Sequence, residues 1–228
     1  MTFNQLKMAL YSTFITNYYG FKFNKDSTSK DKKRIRTQYA QQLLGKLNIH
    51  VNVINKEKLP QQGQYLLISN HRSVIDPLII ELATKDSDLF GYWISKKELA
   101  NSFFFGKFVR NAGTILLDRD SSEMGDFFSD IKACVKGGNS VYIFPEGTRN
   151  KENTEIGEFK EGSRIIAMKN RLPILPVFIR SQANEILMSA IRSGKETLCI
   201  DIEIGDVIDY KDRSMGLDEA YKKQFNIK

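Results

Sequence analysis

Residues 65–83, YLLISNHRSVIDPLIIELA, join two apolar runs through a short polar loop. The first run, 65–69, is short and bounded by polar residues, which is typical of a buried strand. The second run follows Asp76 and Pro77, two residue types favoured at the N-cap and first position of a helix. The stretch therefore predicts a strand, a loop and a helix over 77–84 in direct succession.

The same alternation continues along the chain and predicts an α/β fold. Strand-like runs occupy 50–55, 65–69, 90–95, 114–118, 141–144, 174–179 and 198–204, and helix-like stretches lie at 77–84, 103–110, 122–136, 161–170 and 183–192. Such alternation favours a mostly parallel sheet covered by helices. An open sheet of this kind places its ligand site in loops after the strands, here 70–76 and 145–150.

Composition limits the classes of site that are available. The chain has 228 residues, 41% of them apolar, which suits one domain or one domain with an appendage. Its two cysteines, Cys134 and Cys199, both sit in apolar patterns, so we expect buried thiols and a reducing compartment rather than a disulfide framework. Two His and two Cys provide no zinc-type cluster, so no metal is expected.

The net charge of +7 belongs to the N-terminal part of the chain. Residues 1–60 hold eleven Lys and Arg against three acids, whereas the remainder holds 23 bases against 24 acids. A basic segment beside a neutral body indicates an anionic partner, either nucleic acid or a membrane surface.

The apolar pattern of residues 1–48 favours the membrane surface. One helix face carries Phe3, Leu6, Leu10, Phe14, Tyr18 and Phe21, and a second helical stripe carries Ile35, Tyr39, Leu43, Leu44 and Leu47. We find no apolar run long enough to span a bilayer and no signal-peptide pattern. We therefore predict an amphipathic two-helix anchoring segment over 1–48 and an α/β domain over 49–228, the alternative being that both helices pack on the core.

His71 and Asp76 are the first candidate site residues. Pro77 keeps the preceding residues out of regular helix, so the loop can fold back and bring the Asp76 carboxylate to the His71 imidazole. That contact would fix the tautomer of the ring and leave its other nitrogen as a proton acceptor. A histidine followed by an aspartate five residues later also occurs by chance, and a polar surface loop is the alternative explanation for His71.

A second group of candidates carries positive charge or backbone freedom at strand ends. Gly147 permits unusual backbone angles, Thr148 offers a hydroxyl, and the planar guanidinium of Arg149 suits a phosphate or carboxylate. Arg119 and Lys96 follow two other predicted strands and would point into the same cleft if those strands are neighbours. Ordinary charged turns are the alternative for each. The chain has no P-loop, dinucleotide fingerprint or Gly-x-Ser-x-Gly elbow.

Taken in order, these motifs resemble the glycerolipid acyltransferase family, specifically the lysophosphatidate acyltransferases. Asn70, His71 and Asp76 match its Asn-His-x4-Asp block, and Phe144 to Arg149 match its Phe-Pro-Glu-Gly-Thr-Arg block without a change. Further matches are Lys96, Glu98, Leu99, Gly113, Asp118 and Arg119, the FKEGS segment at 159–163, and the proline-bracketed LPILPV at 172–177. The resemblance covers roughly residues 65–180.

The resemblance implies an enzyme that moves a fatty acyl group from a thioester, acyl-CoA or acyl carrier protein, to the sn-2 hydroxyl of lysophosphatidate. His71 would be the general base, held by Asp76. The acceptor phosphate would meet Arg149, Arg119, Thr148, Gly147 and Lys96, while Asn70 and Glu146 would orient the loop or the acceptor. No cofactor is implied, and the expected location is the cytoplasmic face of the inner membrane, peripheral or monotopic.

Three alternatives stay open at this point. The acceptor could be another lysophospholipid, glycerol 3-phosphate or an amino-acid lipid. The chain could be a non-catalytic peripheral lipid-binding protein, against which the intact pair of His71 and Asp76 argues. A nucleic-acid-binding role is the third, motivated by the basic N-terminal charge. No nucleic-acid-binding signature accompanies that charge, so no nucleic-acid partner is expected.

Overall fold

A computed structural model describes residues 2–24, 26–118, 124–152, 154–193 and 196–227. Helices and strands alternate along most of it, as predicted. The elements are α1 Phe3–Lys22, α2 Ser29–Lys46, β1 Ile49–Ile54, a 3₁₀ turn Lys56–Lys58, β2 Leu66–Ser69, α3 Asp76–Ala83, β3 Gly91–Lys96, α4 Lys97–Ala100, α5 Gly106–Asn111, β4 Thr114–Leu117, α6 Gly125–Lys136, β5 Ser140–Ile143, α7 Gly162–Asn170, β6 Ile174–Ile179, α8 Ala183–Ser193, β7 Leu198–Ile204 and α9 Leu217–Phe225.

The strands form one seven-stranded sheet in the order β1-β7-β6-β2-β5-β3-β4. The five strands from β6 to β4 are parallel to one another, and β7 pairs antiparallel with β6 while carrying β1 parallel beside it. The predicted α/β class with a mostly parallel sheet is therefore confirmed. The reversed direction of β1 and β7 is an addition that the sequence pattern did not predict.

Helices cover both faces of the sheet, which explains why the central strands are apolar throughout. Every residue of β2 and β6 is buried. One face packs against α1, α2, α3 and α8, and the other packs against α6, α7 and α9. Backbone groups of the central strands are paired within the ladder, so burial on both faces leaves few polar groups to satisfy.

Helix α2 is a core helix. Its predicted apolar stripe, from Ile35 to Leu47, is buried against the sheet layer. Arg36 is also buried; it forms an ion pair with Glu81 of α3 and donates to the carbonyl oxygen of Gly91 at 2.7 Å. Packing on the core, the alternative weighed for both helices, thus holds for α2, and the basic side chains of this helix do not all face solvent.

Helix α1 differs, because it presents two apolar faces. Ile15 and Tyr19 join the core, and Thr16 shares a 2.8 Å hydrogen bond with Tyr39 of α2. The stripe predicted from the sequence is exposed along its whole length: Phe3, Leu6, Leu10, Phe14, Tyr18 and Phe21. None of the helices in the described ranges has the length and apolar character needed to cross a membrane.

The thiols match the expectation only in part. Cys134 is buried in α6, and burial raises the pKa of its thiol to about 11. Cys199 is exposed, because it occupies an outward-facing position of β7, where side chains alternate between buried and open sides. The prediction that both thiols are buried was wrong for Cys199.

Candidate active site

The sheet brings the two loops with candidate residues side by side. β2 and β5 are parallel neighbours, so their carboxyl ends lie at the same edge, and the segments 70–75 and 144–150 leave from these ends. In the sheet, β3 lies beside β5 and runs parallel to it, so the last residue of β3, Lys96, lies at the same edge. This arrangement is the one in which open α/β sheets place ligand sites.

His71 and Asp76 make the contact predicted from their spacing. His71 Nδ1 lies 2.8 Å from Asp76 Oδ2. A carboxylate can only accept, so Nδ1 carries the proton and Nε2 is left as the nitrogen that can accept one. The aspartate side chain is 1% exposed and the histidine side chain 19%, so the ring reaches solvent while its partner does not.

Asp76 does not cap α3 as the sequence suggested. It is the first helical residue, and the preceding Ile75 occupies the N-cap without a side-chain hydrogen bond. The carboxylate turns back, and Oδ2 accepts the backbone N–H groups of Arg72 at 2.6 Å and Ser73 at 2.7 Å. Its role is therefore to close the 71–76 loop around the histidine.

An aromatic stack supports the imidazole from one side. The His71 ring lies on Phe144, with centroids 4.0 Å apart and planes 11° from parallel. Phe144 stacks in turn on Trp93, at 5.0 Å and 23°, and the indole N–H of Trp93 donates to Glu81 at 2.9 Å. Sequence reasoning did not single out Trp93, since a lone tryptophan in a strand is more often a core residue.

Glu146 joins the two loops. Its Oε1 accepts the backbone N–H of His71 at 2.7 Å, and its Oε2 accepts that of Gly157 at 2.7 Å. Burial raises the pKa of Glu146, partly offset by these two hydrogen bonds. The backbone N–H of Asn150 donates to the His71 carbonyl oxygen at 2.6 Å. Both contacts are with loop backbone, and the predicted role of Glu146 in orienting the loop or the acceptor stays a prediction.

Gly147 lies at φ 72°, in the left-handed region. A side chain at this position would strain the backbone, which accounts for glycine in the Phe-Pro-Glu-Gly-Thr-Arg loop. The turn directs Thr148 and Arg149 outward, and both are exposed.

Asn70 is buried and engaged with the neighbouring strand. Its Nδ2 donates to the Ile179 carbonyl oxygen at 3.0 Å, and its Oδ1 accepts the Ile179 N–H at 2.9 Å. Asn70 thus ties the start of the 70–76 loop to the end of β6, and its predicted orienting role stays a prediction.

The structure describes all of the predicted phosphate ligands except Arg119. Arg149, Thr148 and Lys96 are exposed at the carboxyl edge of the sheet. Arg119 lies outside the described residues, directly after Asp118. In the parts of the chain that the structure describes, no group of three or more His, Cys, Asp or Glu side chains is arranged to hold a metal ion.

Arg72 is a functional candidate that sequence reasoning missed. Its guanidinium contacts Gln182 and the backbone carbonyl oxygens of Thr154 and Glu155, the last at 3.2 Å from Nε. It thereby fastens the segment around 154–155 to the loop that carries His71. In the sequence, only its position directly after His71 could have indicated that Arg72 belongs to the site.

Sequence comparisons with known proteins match this chain to acyltransferases. The acyltransferase family model matches residues 50–180. The chain is 36% identical over 131 residues to the 1-acyl-sn-glycerol-3-phosphate acyltransferase of Helicobacter pylori (strain J99), covering 55% of this chain and 53% of that protein. It is 26% identical over 185 residues to the enzyme of the same name from Streptococcus pneumoniae (strain R6), covering 81% and 65%. These matches thus span about half to two thirds of the relatives' lengths.

The fold has a solved counterpart. The crystal structure of the 1-acyl-sn-glycerophosphate (LPA) acyltransferase PlsC from Thermotoga maritima superposes with a TM-score of 0.69 at 22% identity, over 97% of this chain and 91% of that one. The family match covers more than half of the sequence and includes both candidate loops. The chain belongs to the acyltransferase family.

Proposed function

We propose that this protein transfers a fatty acyl group from an acyl thioester to the sn-2 hydroxyl of lysophosphatidate, forming phosphatidate for phospholipid biosynthesis. The observation that carries the proposal is the pair of His71 and Asp76, with Nδ1 and Oδ2 2.8 Å apart, next to the Phe144–Arg149 loop. The names of the relatives support the acceptor. The donor is acyl-CoA or acyl carrier protein.

The histidine accounts for the proton movements of such a transfer. His71 Nε2 takes the proton of the acceptor hydroxyl as its oxygen attacks the thioester carbon. The new C–O bond gives a tetrahedral intermediate, and the C–S bond then breaks. The thiolate that leaves takes the proton from the imidazolium, so an ester and a free thiol result. Asp76 stabilises the positive ring between the two steps, as the aspartate does in a Ser-His-Asp triad.

The acceptor's phosphate needs cations at the same edge of the sheet. Arg149 is exposed three residues after Glu146 on the same loop, and the Glu146 carboxylate accepts the backbone N–H of His71, so Arg149 and His71 stand on two loops in direct contact. A guanidinium can bind a phosphate through two parallel hydrogen bonds. We assign Arg149 to the phosphate, with Lys96, Thr148, Gly147 and Arg119 assisting.

The lipid acceptor resides in a membrane, and α1 is the proposed contact. Its exposed stripe from Phe3 to Phe21 offers apolar area, and residues 2–24 contain no Asp or Glu. An amphipathic helix of this kind lies in the interface with its apolar face buried. We place the protein at the cytoplasmic face of the membrane, bound peripherally or monotopically to anionic lipid.

An acceptor panel tests the activity. Purified full-length protein is incubated with labelled acyl-CoA or acyl carrier protein and with lysophosphatidate, other lysophospholipids or glycerol 3-phosphate, and the lipid products are identified by mass spectrometry. Phosphatidate should dominate. His71→Ala should lower turnover at least ~100-fold while the protein stays folded. Turnover near wild type in that variant would exclude the histidine as the base.

The membrane contact requires substitutions within α1, because deleting residues 1–48 would also remove the buried α2. Leu10→Ser combined with Phe14→Ser should weaken binding to anionic vesicles, since both side chains are exposed on the stripe and absent from the core. High salt should weaken binding of the wild type without abolishing it, because salt screens charge but not apolar burial. Unchanged binding by the double variant would contradict the assignment.

A further inference from the structure

We infer that a second element, the Phe loop (residues 101–105), inserts into the same anionic bilayer as α1 and fixes the orientation of the active site on it. The inference rests on the proposed membrane association and extends it to a part of the fold that lies more than 75 residues away from α1 in the sequence. Four observations carry it: exposure, hydrogen bonds within the loop, contact with α1 and charge.

The Phe loop exposes three consecutive phenylalanines. Phe103 is 86% exposed, the most of any large apolar side chain described, and Phe104 and Phe105 are 50% and 47% exposed. Single apolar residues on a surface are common, but contiguous apolar patches mark a binding site or a membrane contact. With Leu99 of α4, also exposed, the loop makes such a patch.

The loop is held in shape, so its exposure is built into the fold. The Ser102 hydroxyl accepts the backbone N–H groups of Phe104 at 3.2 Å and Phe105 at 3.3 Å, and the Gly106 N–H donates to the Ser102 carbonyl at 2.8 Å. A Cβ on Gly106 would lie 2.5 Å from the Ala100 carbonyl oxygen, so only glycine fits this turn. Insertion into lipid would therefore cost little ordering of the chain.

The Phe loop and α1 form one continuous surface. Asn17 Nδ2 donates to the Phe104 carbonyl at 3.3 Å, and Asn111 Nδ2 donates to the Gly20 carbonyl at 3.4 Å. Gly20 allows close approach, because a Cβ there would lie 3.0 Å from the Phe108 nitrogen. The exposed rings of α1 and those of the loop therefore share one side of the molecule.

Charge identifies the occupant of this surface as an anionic bilayer. Neither residues 2–24 nor residues 99–117 contain an Asp or Glu, whereas both segments contain bases. Lys107 Nζ lies 3.2 Å from the centroid of the Phe21 ring, so a cation sits where the segment after the Phe loop meets α1. Within α1, Lys22 Nζ lies 4.6 Å from the centroid of the Tyr18 ring. Aromatic rings flanked by Lys suit a headgroup layer above acyl chains.

The Phe loop lies close to the edge of the sheet that carries the candidate active site. α4 and the Phe loop follow directly on Lys96, at the carboxyl edge of the sheet where His71 lies. A single interfacial helix can roll about its own axis. A second contact away from that axis prevents the roll, so the catalytic edge would stay directed at the lipid surface from which a lysolipid must come.

Site-specific fluorescence tests this. In full-length protein carrying Cys199→Ser, which removes the exposed thiol, Phe103→Cys is labelled with a polarity-sensitive dye. Leu10→Cys reports on α1, and Val207→Cys is the control, an exposed apolar position on the loop after β7. Vesicles contain equal parts of phosphatidylglycerol and phosphatidylcholine. Dyes at 103 and 10 should shift to the blue and be quenched by nitroxide lipids, and the dye at 207 should not.

The outcomes separate the two proposals. A dye at position 10 that enters the bilayer while the dye at 103 stays in water would refute the Phe loop contact and leave the α1 contact standing. Both dyes in water would refute both. A dye at 103 that is shielded before vesicles are added would show that a second copy of the chain covers the loop, which also overturns the inference.

Substitution gives an independent readout. Phe103→Ser combined with Phe104→Ser should weaken partitioning into these vesicles by about 10-fold or more, because two large apolar side chains no longer leave water. Phe103→Leu, which keeps an apolar side chain, should partition into the vesicles nearly as well as the wild type. Val207→Ser should leave partitioning unchanged. Turnover of a short-chain acceptor dissolved below its micelle concentration should be unaffected by the double variant, whereas turnover on vesicles should fall.

Discussion

Asp76→Asn is the most informative single change at the candidate site, because the native carboxylate has two oxygens in different circumstances. Oδ2 accepts three N–H groups, from the His71 ring and from the backbone of Arg72 and Ser73. Oδ1 is buried without a hydrogen-bond partner among the described residues. An asparagine keeps three bonds only if its oxygen takes the Oδ2 place, which leaves its NH2 buried in the Oδ1 place.

The geometry predicts both a stability loss and a particular kind of activity loss. Hydrogen bonds to a charged acceptor are worth roughly 1 kcal/mol more than neutral ones, and a buried unpaired donor costs about 1–3 kcal/mol. Offset by the relief of burying a charge, the free energy of unfolding should fall by about 2–4 kcal/mol. That is less than the ~5–15 kcal/mol of a typical domain, so the variant should fold.

The reverse orientation would turn the NH2 toward two N–H donors, so we expect the asparagine oxygen to keep facing His71 and the ring to keep its proton on Nδ1. Activity should then fall because the imidazolium loses its ion partner. Two unit charges about 4 Å apart at an effective dielectric constant of about 20 interact by about 4 kcal/mol. The His71 ring carries only part of its positive charge in the transition state, so less than this full energy is lost. The expected fall in kcat is on the order of 100- to 1000-fold.

The assay combines kinetics with nitrogen NMR of labelled histidine. The chain has two histidines, so His50→Gln leaves a single imidazole to observe. Asp86→Asn is the control, since its exposed carboxylate pairs with Lys56 beyond the C-terminal end of α3, whereas Asp76 begins that helix. If Asp76→Asn retained kcat within a few fold of wild type, the role of the carboxylate would be refuted. A proton moved to Nε2 would refute the orientation argument.

Three further changes follow from the same contacts. Arg149→Lys should raise the KM for lysophosphatidate more than that for the acyl donor, because the bidentate fork is lost, and Arg213→Lys, at another exposed position, should alter neither. Burial raises the pKa of Glu146 above 4.5, so over a range of pH the folded state holds a proton that the unfolded chain has released. As the pH rises through that raised pKa, the free energy of unfolding of the wild type, measured in urea, should fall. That of Glu146→Gln, which cannot titrate at this position, should not show this fall. Arg36→Met should lower the free energy of unfolding by about 3–5 kcal/mol, and adding Glu81→Leu should recover most of it.

Strand positions could be predicted closely because each buried run is short, apolar and bounded by turn residues. The run 174–179 was placed at the residues that form β6. Strand direction is not encoded in such local patterns, so the reversal of β1 and β7 could not be predicted. α9 was missed because its buried residues, Leu217, Tyr221 and Phe225, stand among charged ones in a nine-residue segment.

The site could be predicted where chemistry acts between neighbours in the sequence, and not where it acts across the fold. His71 and Asp76 are five residues apart, and their contact followed from the loop between them. The stack of Phe144 and Trp93 beside the imidazole joins three neighbouring strands of the sheet. His71 follows β2, Phe144 follows β5 and Trp93 lies within β3, so only the sheet order brings them together. Arg36 is one of the eleven bases of residues 1–60 that were interpreted together as facing an anionic partner. Its burial could not be predicted, because its ion partner Glu81 lies 45 residues further along the chain.

The three contacts between the 70–76 and 144–150 loops, one ring stack and two hydrogen bonds, bear on how such an enzyme can change its acceptor. Phe144 lies on the imidazole, Glu146 holds the histidine's N–H, and Asn150 donates to its carbonyl oxygen. Exchanging the 144–150 loop alone, which carries the proposed phosphate ligand Arg149, for that of another family member would therefore also displace His71, the proposed base. In directed evolution toward a new headgroup, the two loops should be inherited as a pair, and libraries that recombine them freely should yield mostly inactive chains.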